Sequence, residues 1–381
     1  MAPPRGDRQA AARRGRRILS KPKRAVLGGG SGFLGRALAS ALEADGYEVR
    51  VIGRSGPDAT WDDPASVLRV VDGADLVIGL AGRIVDCRYD DVNRDEILRS
   101  RIDTTRMLGE AIARSEHPPA VWLNSSSATV YRYALDRAQT EADTDFDTGF
   151  SPDVALAWEE ELFRLELPNT RRVAMRITIV LGDGPATTML FRLARLGLGG
   201  PQIDGWWFPH NRYRGIGPHP TERRRPLWVR SKGRQKFSWI HIDDLVGAIR
   251  FLRDTPTIAG PVNLSAPTQS DNRSLMATLR RIVRMPLGMP AWRFMLEPAM
   301  WVLRTEPELV LKSRWVAPQV LLDAGYRFAH SELEPALRDI HRRISGRGAG
   351  PAVRDRSPRA PRSARGTSGS PRTTGTRAPS R

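Results

Sequence analysis

An eight-residue string constrains this chain more than any other feature. Residues 28–35 read Gly-Gly-Gly-Ser-Gly-Phe-Leu-Gly, between a short apolar run that ends at Gly28 and a stretch of helical spacing, Phe33–Asp45. Two spacings hold at once, Gly29-x-x-Gly32-x-x-Gly35 and Gly30-x-Gly32-x-x-Gly35. The first glycine allows a tight turn, the second lets the backbone approach a pyrophosphate, and the third lets the helix pack close to the strand. The unit offers free N–H groups at the positive end of a helix dipole, which suits a phosphate. Its strand–turn–helix context predicts a dinucleotide-binding turn made of Gly29, Gly30, Ser31, Gly32, Phe33, Leu34 and Gly35.

The rest of the body agrees. Tyr47–Ile52 alternates as a strand, and Ala74–Leu80, Ala120–Asn124 and Arg172–Leu181 read as buried strands. Arg94–Ser115 and Asp153–Glu166 read as helices. Strands alternating with helices predict an α/β fold, a Rossmann-type doubly wound parallel sheet with helices on both faces. Residues 25–200 would form this domain, completed by 237–258, and 259–344 would form a smaller, mostly helical substrate domain. Between them, residues 201–236 are irregular and hold three tryptophans and nine Lys/Arg against two acids. A stretch of that length inside a domain is either functional or disordered.

Composition matters mainly for what it excludes. The chain has 381 residues, 40% of them hydrophobic, enough for a substantial core. Its single cysteine, Cys87, rules out an internal disulfide and a four-cysteine zinc site. His210 and His219 lack a completing cluster, so no metal is expected. No 18-residue apolar run exists, and the Arg-rich start lacks a secretory core, so a cytoplasmic protein without a membrane span is expected. Nine Lys/Arg and one Asp lie in residues 1–24, and nine Arg and one Asp in 346–381, so the two ends supply most of the formal +18. Both ends lack aromatics and are predicted to be disordered, as tails 1–24 and 345–381. With the charge confined there, a small-molecule substrate is expected, and no specific nucleic acid. The sequence leaves the oligomeric state undetermined.

An NAD site places Asp or Glu about 20 residues beyond the turn, on the ribose 2′-hydroxyl. Here the second strand ends Val51-Ile52-Gly53-Arg54-Ser55. A guanidinium suits a 2′-phosphate that a carboxylate would repel, so Arg54 points to NADP (NADPH) over NAD.

Taken together, these residues resemble the short-chain dehydrogenase/reductase superfamily, extended type. The closer likeness is to its atypical epimerase-family branch, which carries a C-terminal DUF1731 segment, here at about 290–340. The likeness covers most of residues 25–340. Gly28–Gly35 is similar to the branch's Gly-Gly-Thr-Gly-Phe-Ile-Gly turn. Leu80-Ala81-Gly82 resembles its strand end beside the cofactor, with Gly79 where Asn is usual. Phe237–Leu245 (FSWIHIDDL), after Gly233-Arg234-Gln235, is close to the branch's signature, and Gly260–Pro267, Val316–Phe328 and Leu333–Leu337 fit its later segments. The resemblance implies further cofactor contacts from Ala81, Gly82 and Ser125, and substrate contacts from Arg234, Gln235 and Trp239.

Superfamily chemistry uses a serine that polarises the substrate oxygen, and a Tyr-x-x-x-Lys that carries the proton and holds the nicotinamide ribose. Ser125–Tyr131 (SSSATVY) resembles the serine strand, with Ser127 at the catalytic place and Tyr131 as a further candidate. Val154 and Trp158 stand where Tyr and Lys are expected, and neither titrates. His241 and Asp243 read as a base and its orienter or as packing residues, and Glu159 and Glu160 as a solvated helix face. The 201–236 insertion, with Trp206, Trp207 and Trp228, would border the substrate cleft as a lid or stand as a surface loop. The resemblance implies an NADP-dependent oxidoreductase or epimerase acting on a small substrate. The missing pair leaves a second reading open, a dinucleotide-binding protein without turnover in a regulatory or structural role.

Overall fold

The structure is a computed structural model that describes residues 22–225 and 230–348. The predicted tails outside 22–348, and Trp228, lie outside the described residues. The first half alternates as expected: β1 (Arg24–Gly28), α1 (Phe33–Ala44), β2 (Glu48–Gly53), β3 (Ala59–Thr60), α2 (Pro64–Val71), β4 (Leu76–Gly79), α3 (Asp91–Arg114), β5 (Val121–Ser127), α4 (Phe150–Phe163) and β6 (Arg171–Ile177). Then come β7 (Ile179–Leu181), α5 (Pro185–Arg195), β8 (Gln202–Ile203), β9 (Lys236–Phe237), β10 (Trp239–His241), α6 (Ile242–Asp254) and β11 (Gly260–Leu264). The chain closes with β12 (Ser270–Asp271), α7 (Asn272–Val283), β13 (Ala291–Trp292), α8 (Arg293–Val302), α9 (Glu308–Leu311), α10 (Gln319–Asp323) and α11 (Leu333–Gly348).

Seven strands form one sheet in the order β11-β6-β5-β4-β1-β2-β3, and every pairing in it is parallel. Strand order reverses between β1 and β4, and the crevice outside the carboxyl ends of those two strands is where such sheets bind ligands. A sheet covered on both faces needs strands that are apolar throughout. On one face Leu38, Leu42, Ile249 and Leu252, from α1 and α6, pack against Leu27, Leu76 and Leu123. On the other, Val67, Leu108, Ile112 and Leu162, from α2, α3 and α4, pack against Val26, Val77 and Trp122. A third cluster joins α5, α7 and α11 through Phe191, Leu275, Leu279, Leu337 and Ile340.

Four local features differ from the sequence reading. The strand expected over 172–181 breaks at Thr178, whose N–H and hydroxyl both bond Leu264 O, and β7 then pairs with β10 instead of β11. The helix α2 follows an Asp-Pro start that sequence reading passed over: Asp63 caps the N–H groups of Ala65 and Ser66, and Pro64 fills a position whose N–H needs no partner. Helix α4 begins at Phe150, three residues earlier than expected, because Asp153 is turned to Thr221 of the insertion. The insertion itself is tied into the fold. Its β8 pairs with β13, and its Arg212 is buried against Glu297 at 2.6 Å and Glu306 at 3.4 Å. At the ends of the body, Arg24 opens β1 and α11 runs on to Gly348.

Candidate functional site

The Gly-rich turn is fixed by the strands on either side of it. Gly29 N–H donates to Ile52 O at 2.8 Å, and Leu80 N–H donates to Gly28 O at 2.7 Å, so β1, β2 and β4 end together. Gly29 sits at φ +91°, and a Cβ there would lie 2.8 Å from the Ala81 backbone. A Cβ on Gly35 would overlap the Gly30 backbone. Gly32 differs from these: a Cβ on it would meet nothing within 4 Å. It is the N-cap of α1 and offers no side chain, so the first N–H groups of the helix stay uncapped on that open side. Phe33 packs its ring over Gly182 and Gly184, and Leu34 packs into the core, so both face the opening only through their backbone. Ser31 is exposed, and its carbonyl accepts from Arg36 at 2.5 Å.

Arg54 follows the end of β2, exposed and without an ion pair or hydrogen bond among the described residues. The acid nearest in sequence, Asp58, is turned inward, accepting from Val51 N and Arg50 at 2.8 Å each. A dinucleotide fits these residues: an uncapped helix N-terminus, an open glycine face and an unengaged cation at the β2 tip all present donors outward.

Ser127 ends β5 and is its one strand residue not fully buried. Its Oγ accepts from Thr129 N at 3.3 Å, so its own proton remains to be donated. Tyr131 has no such freedom. It is buried, its hydroxyl donates to Asn263 Oδ1 at 2.9 Å and accepts from Arg176 at 2.9 Å, and burial raises its pKa. Glu159 departs from the solvated face expected for it, because Arg176 on β6 draws it inward, with two hydrogen bonds at 2.8 and 2.9 Å, while Ser126 donates to it at 2.5 Å.

Val154 and Trp158 are both buried, and the Trp158 indole N–H donates to Thr105 at 2.8 Å. The guanidinium over that indole, 5.0 Å from its centroid, belongs to Arg101 on α3. It donates to Ile97 O and Arg83 O, pairs with no carboxylate among the described residues, and burial pulls its pKa down to about 10. A Cβ on Gly82 would lie 3.1 Å from it, so this cation borders the β4 end of the crevice. No sequence spacing marks Arg101, since its place depends on how α3 packs against α4.

With this geometry in view, the comparisons are consistent. The NAD dependent epimerase/dehydratase family profile matches residues 25–151, and the Domain of unknown function DUF1731 matches 293–340. The chain is 32% identical over 325 residues to epimerase family protein SDR39U1 of Bos taurus, covering 83% of this chain and 99% of the relative. The chain belongs to this epimerase family. YfhF, the epimerase family protein of Bacillus subtilis, is 27% identical over 321 residues, 82% of this chain and 96% of that one. A crystal structure of human SDR39U1 with NADPH has 28% identity and a TM-score of 0.70, covering 83% of this chain and 98% of that one.

Of the substrate-side residues that the family resemblance implies, one is placed outward. Arg234 is exposed in a basic recess with Lys232, Lys236 and Arg273. Gln235 is buried, accepting from Ser231 and donating to Gln202 O at 2.9 Å each, which secures β8. Trp239 is wholly buried in the third core cluster, beside Leu275 and Leu279, because β10 carries it inward. Ser125 and Ala81 line the adjoining ends of β5 and β4, and Ser125 is buried.

The insertion does reach a small recess. Its Asp204, Tyr213, Arg223 and Arg225 form one wall, and Arg293 and Lys312 of the C-terminal segment face them. Lys312 is buried, donates to Thr129 O at 2.8 Å and pairs with Asp147 at 3.0 Å. His241 accepts from Asp243 N as the cap of α6, and burial pushes its pKa down to about 4. Among the described residues His241, Asp243, His330 and Asp339 come within 4.8 Å of one another, which sequence spacing did not reveal. Arg343 already pairs with both carboxylates there.

Proposed function

We propose that this chain binds NADPH and acts as an oxidoreductase or epimerase on a small substrate. The observation that carries the reading is the open face of Gly32 at the uncapped start of α1, flanked by the unengaged Arg54. The turn would hold the pyrophosphate, and Arg54 the 2′-phosphate. The human relative solved with NADPH supports the same choice. The nicotinamide would supply hydride chemistry. Ser127 would donate its free O–H to the substrate oxygen. Arg101 would supply, from α3, the positive charge that the missing lysine would otherwise place near the nicotinamide ribose.

Substitutions at three positions test these roles. Arg54→Asp is expected to weaken NADPH binding at least about tenfold while sparing NADH, because one charge-assisted contact is lost and a like charge is added. Calorimetric titration with both nucleotides reads this, and unchanged preference removes Arg54 from the site. Ser127→Ala is expected to abolish turnover and leave NADPH affinity intact; parallel loss of both would make Ser127 structural. Arg101→Met is expected to lower NADPH affinity about tenfold, with Arg101→Lys restoring part of it. Equal affinity in all three proteins would return Arg101 to a packing role.

The second reading, a NADPH-binding protein without turnover, draws on Val154 and Trp158, which leave no titrating side chain at the tyrosine and lysine places. Tight NADPH binding with no turnover across carbonyl and sugar substrates would favour it.

A further inference from the structure

We propose that the outer face of α8, together with the aromatic tip of the insertion, docks on an anionic phospholipid bilayer. Helix α8 is built inside out. Its two charged residues, Arg293 and Glu297, are only 4% and 6% exposed. Arg293 pairs with Asp204 at 2.8 Å and with Glu297 at 3.2 Å, and Glu297 pairs with Arg212 at 2.6 Å. Phe294, Trp301 and Val302 are 66, 64 and 72% exposed, and Leu303 just beyond is 63% exposed. A surface helix ordinarily does the reverse, with its apolar stripe inward. The cause is visible in the ion pairs. They fasten α8 to the insertion through its polar side, and the apolar side is left outward.

A second exposed aromatic pair lies on the segment strand-paired to the start of α8. Strand β13, which leads into α8, pairs with β8. Shortly after β8 come Trp206 and Phe208, both 58% exposed, with ring centroids 4.6 Å apart. An exposed apolar surface of this kind marks an interaction site.

The two ends of the chain offer little to cover it. Residues 1–21 and 349–381 hold no aromatic residue, and besides Met1 their large aliphatic residues are Ile18, Leu19 and Val353. What they carry is positive charge, and the insertion adds nine Lys/Arg against two acids. A second copy brings the same formal +18, so self-association works against like-charge repulsion, whereas an anionic surface attracts. Tryptophan and phenylalanine on an apolar helix face form an interfacial surface that settles at the headgroup boundary, and the basic ends of the chain would draw it to an anionic one. Such contact is peripheral: no helix among the described residues is long and apolar enough to cross a membrane.

The test mixes the full-length chain with vesicles of phosphatidylcholine alone, and of phosphatidylcholine with phosphatidylglycerol, and reads the bound fraction by sedimentation. Binding to the anionic vesicles is expected. The double variant Phe294→Asp/Trp301→Asp, at two exposed positions, is expected to keep its melting temperature and to lose at least about tenfold in partitioning. Absence of wild-type binding overturns the proposal. Undiminished binding by the double variant also overturns it, because attraction then belongs to the basic segments alone. Light scattering on the same proteins gives the rival outcome. A wild-type dimer that the double variant splits assigns the face to a second copy and overturns the bilayer. If the double variant melts lower, Phe294→Ser/Trp301→Ser is read in the same way.

Discussion

Glu159→Ala is expected to destabilise the fold by about 3–5 kcal/mol, because it strands a buried guanidinium. Arg176 has a 4% exposed side chain, and Glu159 is its carboxylate partner, holding it through two hydrogen bonds. The same guanidinium donates to Tyr131, Tyr131 donates to Asn263, and Asn263 donates to Ala317 O. One ion pair therefore links α4, β6, the Ser127 strand end, β11 and the C-terminal segment. A chain of bonds this long in a low-dielectric interior loses more than one contact when its anion is removed. Denaturant unfolding monitored by circular dichroism measures the cost. Glu159→Gln keeps the shape and an acceptor and should lose less. A cost below about 1 kcal/mol for Glu159→Ala would mean that Arg176 finds water or another acceptor.

That pair also marks where sequence reading stops. The glycine turn and the alternation of strands and helices were legible because each depends on neighbours in sequence. Periodicity could not separate Glu159 from Glu160, since what distinguishes them is Arg176, on a strand seventeen residues away. The family resemblance led to Trp239 as a substrate contact, but β10 carries its ring into the third core cluster beside α7. Arg101 was silent for the opposite reason: its significance depends on Trp158, an indole that sequence reading registers only as a missing lysine. The insertion looked irregular because its order comes from ion pairs to α8, 85 and 89 residues further on, and such pairs leave no periodic trace.

Gly32→Ala is expected to weaken NADPH binding at least about tenfold while costing the free protein only about 0.5–1 kcal/mol, the ordinary penalty of alanine at a helix N-cap. The added methyl meets no protein atom within 4 Å, and the backbone there, φ −75° and ψ 179°, is open to any residue. No packing in the fold needs glycine at this position, so beyond the small penalty of alanine at a helix N-cap any cost of the methyl must come from a ligand seated against the turn. Gly35→Ala makes the contrast. Its methyl would overlap the Gly30 backbone, so α1 has to move away from the turn. Overpacking of that kind costs about 1–3 kcal/mol, and affinity and stability should fall together. Titration with NADPH, set beside thermal melts of the free proteins, separates the two effects. If Gly32→Ala binds NADPH as the wild type does, the pyrophosphate does not sit on this face, and the cofactor assignment fails with it. If Gly32→Ala loses affinity far beyond its small loss of stability, the open side of the turn is where the pyrophosphate sits.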